Sequence, residues 1–241
     1  MLALLKTFSF RADNDQVDAG GLADRYTVNQ AVKQGQVADF IVFMSGSGGL
    51  LASNLDITVW TLGGTAYLGS IRKGAIRVTT VQRERSGIAD AYKYPNATRT
   101  QVEVLTEKLV IVSAPFVSAL MTGSVASFNV TAAITFGATV FSCPMSIKSA
   151  RHTVDRDELQ MEEVVMTLAG TPTGPSDSSL LGNILLGTSL VTLSADTGGG
   201  VYETGSGQTA LIAKLNTTFN DSSLIEQSGT LAIQGGSTWA S

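Results

Sequence analysis

The chain runs to 241 residues, long enough to bury a sizeable core as one large all-β domain or two small ones. Only 15% of its residues are charged, where soluble domains carry about 25%, so uncharged polar side chains must cover the surface or assembly must bury it. Residues 1–175 hold 15 acids and 15 bases, and the formal charge of −4 comes from the five acids and one base found from Ser176 onward; no basic face is indicated, which argues against tight binding to nucleic acid through its phosphates.

Leu2–Ala12 reads as a first strand with Phe8 and Phe10 on one face, and Asp13–Gly21 as a polar turn. Ala38–Met44 is a short apolar strand ending in the glycine-rich loop Ser45–Gly49. Leu55–Leu62 alternates Leu55, Ile57 and Val59 against Asp56, Thr58 and Trp60, then stops at Gly63-Gly64. Ala75–Val81 alternates again, Ile76 and Val78 opposite Arg77 and Thr79. Gln82–Arg99 is the most charged and aromatic loop, holding Arg83, Glu84, Arg85, Tyr92, Lys93, Tyr94 and Arg99. It is too long for a tight hairpin. It reads either as a solvated excursion or as an arm that docks on a neighbouring subunit, because Arg and Tyr are enriched in interface cores.

Gln101–Val112 is a further strand. Ser113 as cap, Pro115 in the first turn and Gly123 as stop mark the best helix candidate, which runs to about Thr122. Phe128–Phe136 has the cleanest period of two, with Phe128, Val130, Ala132, Ile134 and Phe136 on one face, as a half-buried strand requires. Thr171–Ser176 reads as a linker and Ser178–Gly187 as a short helix. The last strands are Ser189–Ala195, Leu211–Phe219 and Gly229–Gln234; in the second, Leu211, Leu215 and Phe219 face away from Lys214, Asn216 and Thr218. Strands outnumber helices heavily, so the fold class is all-β, an antiparallel sandwich or barrel with one short helix and a long mid-chain loop.

Ser146–Gly170 and Leu211–Gly235 align without a gap at an offset of 65, with Ile147/Ile212, Thr153/Thr218, Leu159/Leu224 and Gly170/Gly235 identical. Each reads as strand, polar turn, strand and glycine, the turns being Asp155-Arg156-Asp157 and Asn220-Asp221-Ser222. Leu5-Lys6-Thr7 and Ile71-Arg72-Lys73 resemble the opening Ile147-Lys148-Ser149, and Gly21–Tyr26 resembles Gly87–Tyr92. Openings at 5, 71, 147 and 212 suggest one β unit used repeatedly, in two halves of about 1–125 and 126–241. The competing reading is that short strands with similar turns look alike.

No enzyme emerges from the chemistry-bearing residues. His152 is the one histidine and lies where Thr217 stands in the aligned stretch; Cys143, beside Phe141, reads as core packing. The single cysteine leaves no disulfide framework and no cysteine metal cluster. Asp155, Asp157, Glu158, Glu162 and Glu163 lack the glycine and spacing of a calcium loop, and neither Gly46–Gly49 nor Gly198–Gly200 fits a nucleotide-binding loop. We expect no cofactor and no metal. No apolar run approaches the 18 or so residues that span a bilayer, so no membrane partner is expected. Met1–Phe10 lacks the features of a signal peptide, and the lone Cys143 fits synthesis in a reducing, cytoplasmic compartment.

The charged mid-chain loop, the helix after a strand, the Asp155–Gln160 turn and the closing Ile212–Phe219 and Leu231–Gly236 segments together resemble the tail tube (major tail) proteins of tailed bacteriophages, over residues 70–236. The resemblance implies a virion protein whose copies stack as hexameric rings around a lumen that DNA crosses, with tape-measure and tail-terminator proteins as further partners. The repeated unit adds a variant, trimeric rings with pseudo-sixfold symmetry. It also implies that Arg83, Glu84, Arg85, Tyr92, Lys93, Tyr94 and Arg99 contact a neighbouring subunit. The alternative is a β-sandwich capsid, decoration or fibre protein, which would share the low charge and the Thr/Asn richness.

Overall fold

The computed structural model describes residues 3–18, 29–44, 57–87, 90–111, 113–123, 129–136, 139–154, 160–174, 179–185, 190–196, 198–205, 207–220 and 225–240. Its strands are β1 (Ala3–Asp18), β2 (Asn29–Met44), β3 (Ile57–Leu62), β4 (Thr65–Ala66), β5 (Ile71–Glu84), β6 (Pro95–Val110), β7 (Asn129–Phe136), β8 (Thr139–Thr153), β9 (Met161–Leu168), β10 (Leu190–Val191), β11 (Ser194–Asp196), β12 (Val201–Thr204), β13 (Thr209–Asn220), β14 (Glu226–Gln234) and β15 (Ser237–Ala240). Two helices, α1 (Pro115–Thr122) and α2 (Leu180–Leu185), interrupt them. The fold is all-β and antiparallel. One twelve-stranded sheet runs β1-β2-β14-β13-β5-β6-β9-β8-β7-β3-β4, with β10 also on β13, and β11-β12-β15 form a small second sheet.

The long sheet folds back on itself, and aromatic contacts show where. Trp60 of β3 meets the ring of Phe219 on β13 edge-on at 5.4 Å, and Phe136 of β7 meets the same ring at 5.3 Å. The turn from β8 into β7 and β3 therefore lays those strands over β13 and β5. Trp60 fits because Gly74 of β5 lies beneath it; a Cβ there would stand 2.5 Å from the indole. Trp60, Phe136, Phe141, Ile134, Met145 and Met166 are buried between the layers, and at about 25 cal/mol per Å² such burial is the main stabilising term. At the other end the small sheet covers β1, where Tyr202 stacks on Phe10 at 4.9 Å and touches Phe8 at 5.4 Å.

Four of the hairpins open on the same register shift and match in two pairs. In β1–β2 the register shifts between Leu5 and Thr7 and again between Asp15 and Gln16; in β5–β6 it shifts between Ile71 and Lys73 and between Val81 and Gln82, each 66 residues later, with one extra shift between Lys73 and Gly74. Phe8↔Phe40 through Asp18↔Asn29 repeats as Gly74↔Thr106 through Glu84↔Pro95. In β8–β9 the shift lies between Ile147 and Ser149, and in β13–β14 between Ile212 and Lys214, each 65 later; the pairs Met145↔Leu168 to Thr153↔Met161 recur as Ala210↔Ile233 to Thr218↔Glu226. Along the sheet β1-β2-β14-β13 and β5-β6-β9-β8 are thus two blocks with the same strand order. Stretches 1–125 and 126–241 do not form separate layers, because their hairpins alternate along the sheet.

Several boundaries differ from those expected. The polar run after Ala12 continues β1 to Asp18, and β2 begins at Asn29 rather than Ala38, because pairing in a long hairpin overrides turn propensity. A register shift between Ile57 and Val59 puts Ile57, Trp60 and Leu62 in the core and leaves Val59 half-buried. The bulge in β13 likewise places Ala210, Ile212, Leu215 and Phe219 in the core cluster, so Leu211 does not share a face with Leu215. Ser189–Ala195 splits between β10 and β11, which belong to different sheets. The expected linker is pinned instead: the Thr173 and Gly174 amides donate to the Ser142 carbonyl at 2.9 and 3.2 Å. The cap of α1 is Ala114, at φ 42°, not Ser113. The expected Ser45–Gly49 loop, Leu55, Phe128 and the Asp155–Asp157 turn lie outside the described residues.

Candidate functional site

The expected contact loop is shorter than its sequence suggests. β5 runs to Glu84 and β6 starts at Pro95, so Arg83 (opposite Asn96) and Arg99 (opposite Val81) stand on paired strands. Between them the Arg85 amide donates to the Tyr94 carbonyl at 3.0 Å and the Tyr94 amide to Ser86 Oγ at 3.0 Å, which fixes the tip. The tip docks on its own chain. Gln34 of β2 bridges to Tyr92, its amide donating to the Ala91 carbonyl and its carbonyl accepting from Lys93, both at 2.9 Å. Lys93 Nζ pairs with Asp15 at 2.7 Å, Lys33 pairs with Glu84 at 3.2 Å, and the Tyr92 ring lies against Gly236. The Ser86 and Lys33 hydrogen bonds hold the Glu84 carboxyl below the usual range. Tyr92, Lys93 and Glu84 are therefore engaged within the subunit, while Arg83, Arg85 and Arg99 are exposed.

A larger surface lies on the sheet itself. The blocks β1-β2-β14-β13 and β5-β6-β9-β8 turn one face to the core and leave the other open. Rows of residues cross the open face from strand to strand: Ser9, Asp39, Thr230, Lys214, Thr79 and Gln101 make one, and Thr7, Ile41, Ser228, Asn216, Arg77 and Glu103 the next. Its charges are mixed and mostly paired. Lys148 holds Glu103 at 3.0 Å, Arg77 and Lys73 share Glu107, Lys6 holds Glu226 at 2.8 Å, and the Thr230 hydroxyl donates to Asp39 at 2.6 Å. A shallow depression of about 430 Å³ lies at its centre, bordered by Asp39, Arg77, Lys214, Asn216 and Thr230.

Two strand edges at the ends of these blocks have no partner among the described residues. β1 pairs only with β2. β8 pairs with β7 through Thr139–Ser146, and beyond that point, over Ser149–Thr153, it pairs only with β9. Unpaired backbone donors and acceptors on a sheet edge are a template for another chain. No sequence signal marked these edges, since what distinguishes them is the strand that does not lie beside them.

Among the described residues, Cys143 and His152 do not come together. Cys143 and His152 stand on the same strand nine positions apart, about 30 Å at 3.3 Å per residue. Cys143 is fully buried, and desolvation pushes its thiol up to about 12. Glu162, also buried, lies opposite His152 in register and accepts the Val117 amide of α1 at 2.6 Å; desolvation raises its carboxyl, and this bond and the nearby His152 charge oppose the rise. It caps the helix that no local side chain caps. Neighbouring Glu163 is exposed, on the other side of the strand. Among the described residues, no three His, Cys, Asp or Glu side chains are grouped to hold a metal. No family model matches the chain, and neither a curated protein nor a solved structure does.

Proposed function

We propose that the protein is a self-assembling structural subunit of a phage tail tube, forming stacked rings around a lumen that admits DNA. The observation that carries this reading is the continuous run of eight strands with one face packed and the other open and largely polar, in which, among the described residues, the β1 edge and the Ser149–Thr153 part of the β8 edge take no strand. Such a slab stays incomplete as a monomer and becomes closed as a segment of a wall. Size favours three copies to a ring. Three sets of eight give about 24 strands, which at about 4.8 Å spacing and about 40° tilt enclose a barrel roughly 48 Å across its backbone; six copies would double that bore. Side chains narrow the smaller bore by roughly 10 Å and still leave room for a duplex. The open face would line it, and its mixed, mutually paired charges suit passage, because a basic wall would hold DNA. Tape-measure and terminator proteins would meet the ends of the stack.

Negative-stain electron microscopy with native mass spectrometry tests this. Rings or hollow tubes with three chains per ring are expected. A uniform monomer would refute it, and closed shells would favour the capsid reading.

A further inference from the structure

The chain contains an internal pattern for how its own free edges are met. At the centre of the long sheet, β13 joins β5 antiparallel, from Lys214↔Thr79 through Thr217↔Ile76 to Asn220↔Lys73. This junction links the two blocks of equal strand order. β13 shares its edge: Ala210 and Leu211 take β10, and the residues from Lys214 onward take β5. β8 is the counterpart of β13, 65 residues earlier, and its edge is half used in the same way: Met145 and Ser146 take β7, and the residues from Ser149 onward take no described residue on that side. β1 is the counterpart of β5, 66 residues earlier, and among the described residues lacks the strand that β5 has.

We infer that the β8 edge of one copy pairs with the β1 edge of a second copy in the register of the internal β13–β5 junction. Moving each strand to its counterpart turns Lys214↔Thr79 into Ser149↔Asp13, Leu215↔Val78 into Ala150↔Ala12, Asn216↔Arg77 into Arg151↔Arg11 and Thr218↔Ala75 into Thr153↔Ser9. On the core side, Phe219↔Gly74 becomes Val154↔Phe8, so each junction sets one aromatic ring against a smaller residue. Val154 is 62% exposed in the single chain, and this contact covers it. On the open side Arg151 and Arg11 stand opposed, which by itself is unfavourable. Each has an acid at hand: Asp13 lies 2.7 Å from Arg11, and Glu163 faces Arg151 across β9. Asp13 is also placed diagonally across the new junction from Arg151, within reach of its long side chain.

The inference rests on the self-assembly reading but not on what the lumen carries. Cysteine cross-linking of the full-length protein tests it. Directly opposed residues lie about 4.5–5.5 Å apart at Cα, inside the range a disulfide spans, whereas diagonal neighbours lie beyond it. Ala12→Cys with Ala150→Cys, and independently Ser9→Cys with Thr153→Cys, should give covalent multimers on mild oxidation, reversed by dithiothreitol. Ser9→Cys with Arg151→Cys, one pair out of register, should give several-fold fewer. Six strands separate β1 from β8, so cross-links within one chain do not arise. Rings that form but fail to cross-link in either matched pair would overturn this junction and leave the assembly reading standing. Preferential cross-linking of the shifted pair would overturn the register, and monomers without cross-links would overturn both proposals.

Discussion

Glu162 offers the sharpest test of how the core is held together. Its side chain is fully buried on β9, and Oε1 accepts the Val117 amide in the first turn of a helix whose own cap, Ala114, has no side-chain acceptor. Glu162→Ala removes the acceptor and leaves a buried donor unpaired, at a cost of about 1–3 kcal/mol. For a chain of this size that lowers Tm by about 2–12 °C. Glu162→Gln keeps an oxygen for Val117 and removes the burial cost of a charge. The counterpart position already carries Gln227, whose amide donates to Thr217 at 3.0 Å, so the uncharged version is compatible with this site. The pH dependence has a definite sign. The carboxyl is raised in the folded state, so its contribution is fully present below the unfolded value near 4.3 and is lost as pH rises through the folded value. Thermal melts of the wild type and both variants from pH 4 to 8 check this. Glu162→Gln should match the wild type at low pH and equal or exceed it at pH 8. A glutamine variant that falls as far as the alanine variant, by an amount independent of pH, would refute the reasoning.

Three further outcomes follow from the packing. Gly74→Ala places a Cβ 2.5 Å from Trp60 and 2.9 Å from the Leu105 carbonyl, and backbone cannot swing aside as a side chain can; denaturant titration should show a loss of about 1–3 kcal/mol. Cys143, buried and with its thiol raised to about 12, should stay unmodified by a thiol reagent at pH 8 until denaturant is added; rapid modification of the folded chain would contradict its burial. Lys93→Ala breaks an ion pair with the half-exposed Asp15, so stability should fall by no more than about 1 kcal/mol. A larger loss would mean that the backbone bridge between Gln34 and Tyr92 fails with it.

What the sequence discloses about this fold depends on whether a feature is local. The period of two over Asn129–Phe136 and the buried alternation of Ile76 and Val78 were legible because each strand has one wet face and one dry one. The likeness of Leu5-Lys6-Thr7, Ile71-Arg72-Lys73, Ile147-Lys148-Ser149 and Ile212-Ala213-Lys214 was legible as well, but its meaning was not. All four mark register shifts, and a bulge changes which residues share a face without requiring any particular residue type. That is why alternation alone puts Leu211 with Leu215 and Val59 with Ile57, while the shifts set them on different faces. The cap of α1 differs from the local signal for a related reason: Ser113 sits in the usual place, yet the acceptor for Val117 comes from Glu162, 45 residues beyond it. The free edges are the least local features of all, since an edge is defined by the whole strand order. Residues of ordinary composition on β1 and β8 become a candidate interface only because β5 and β13, built the same way, have each other.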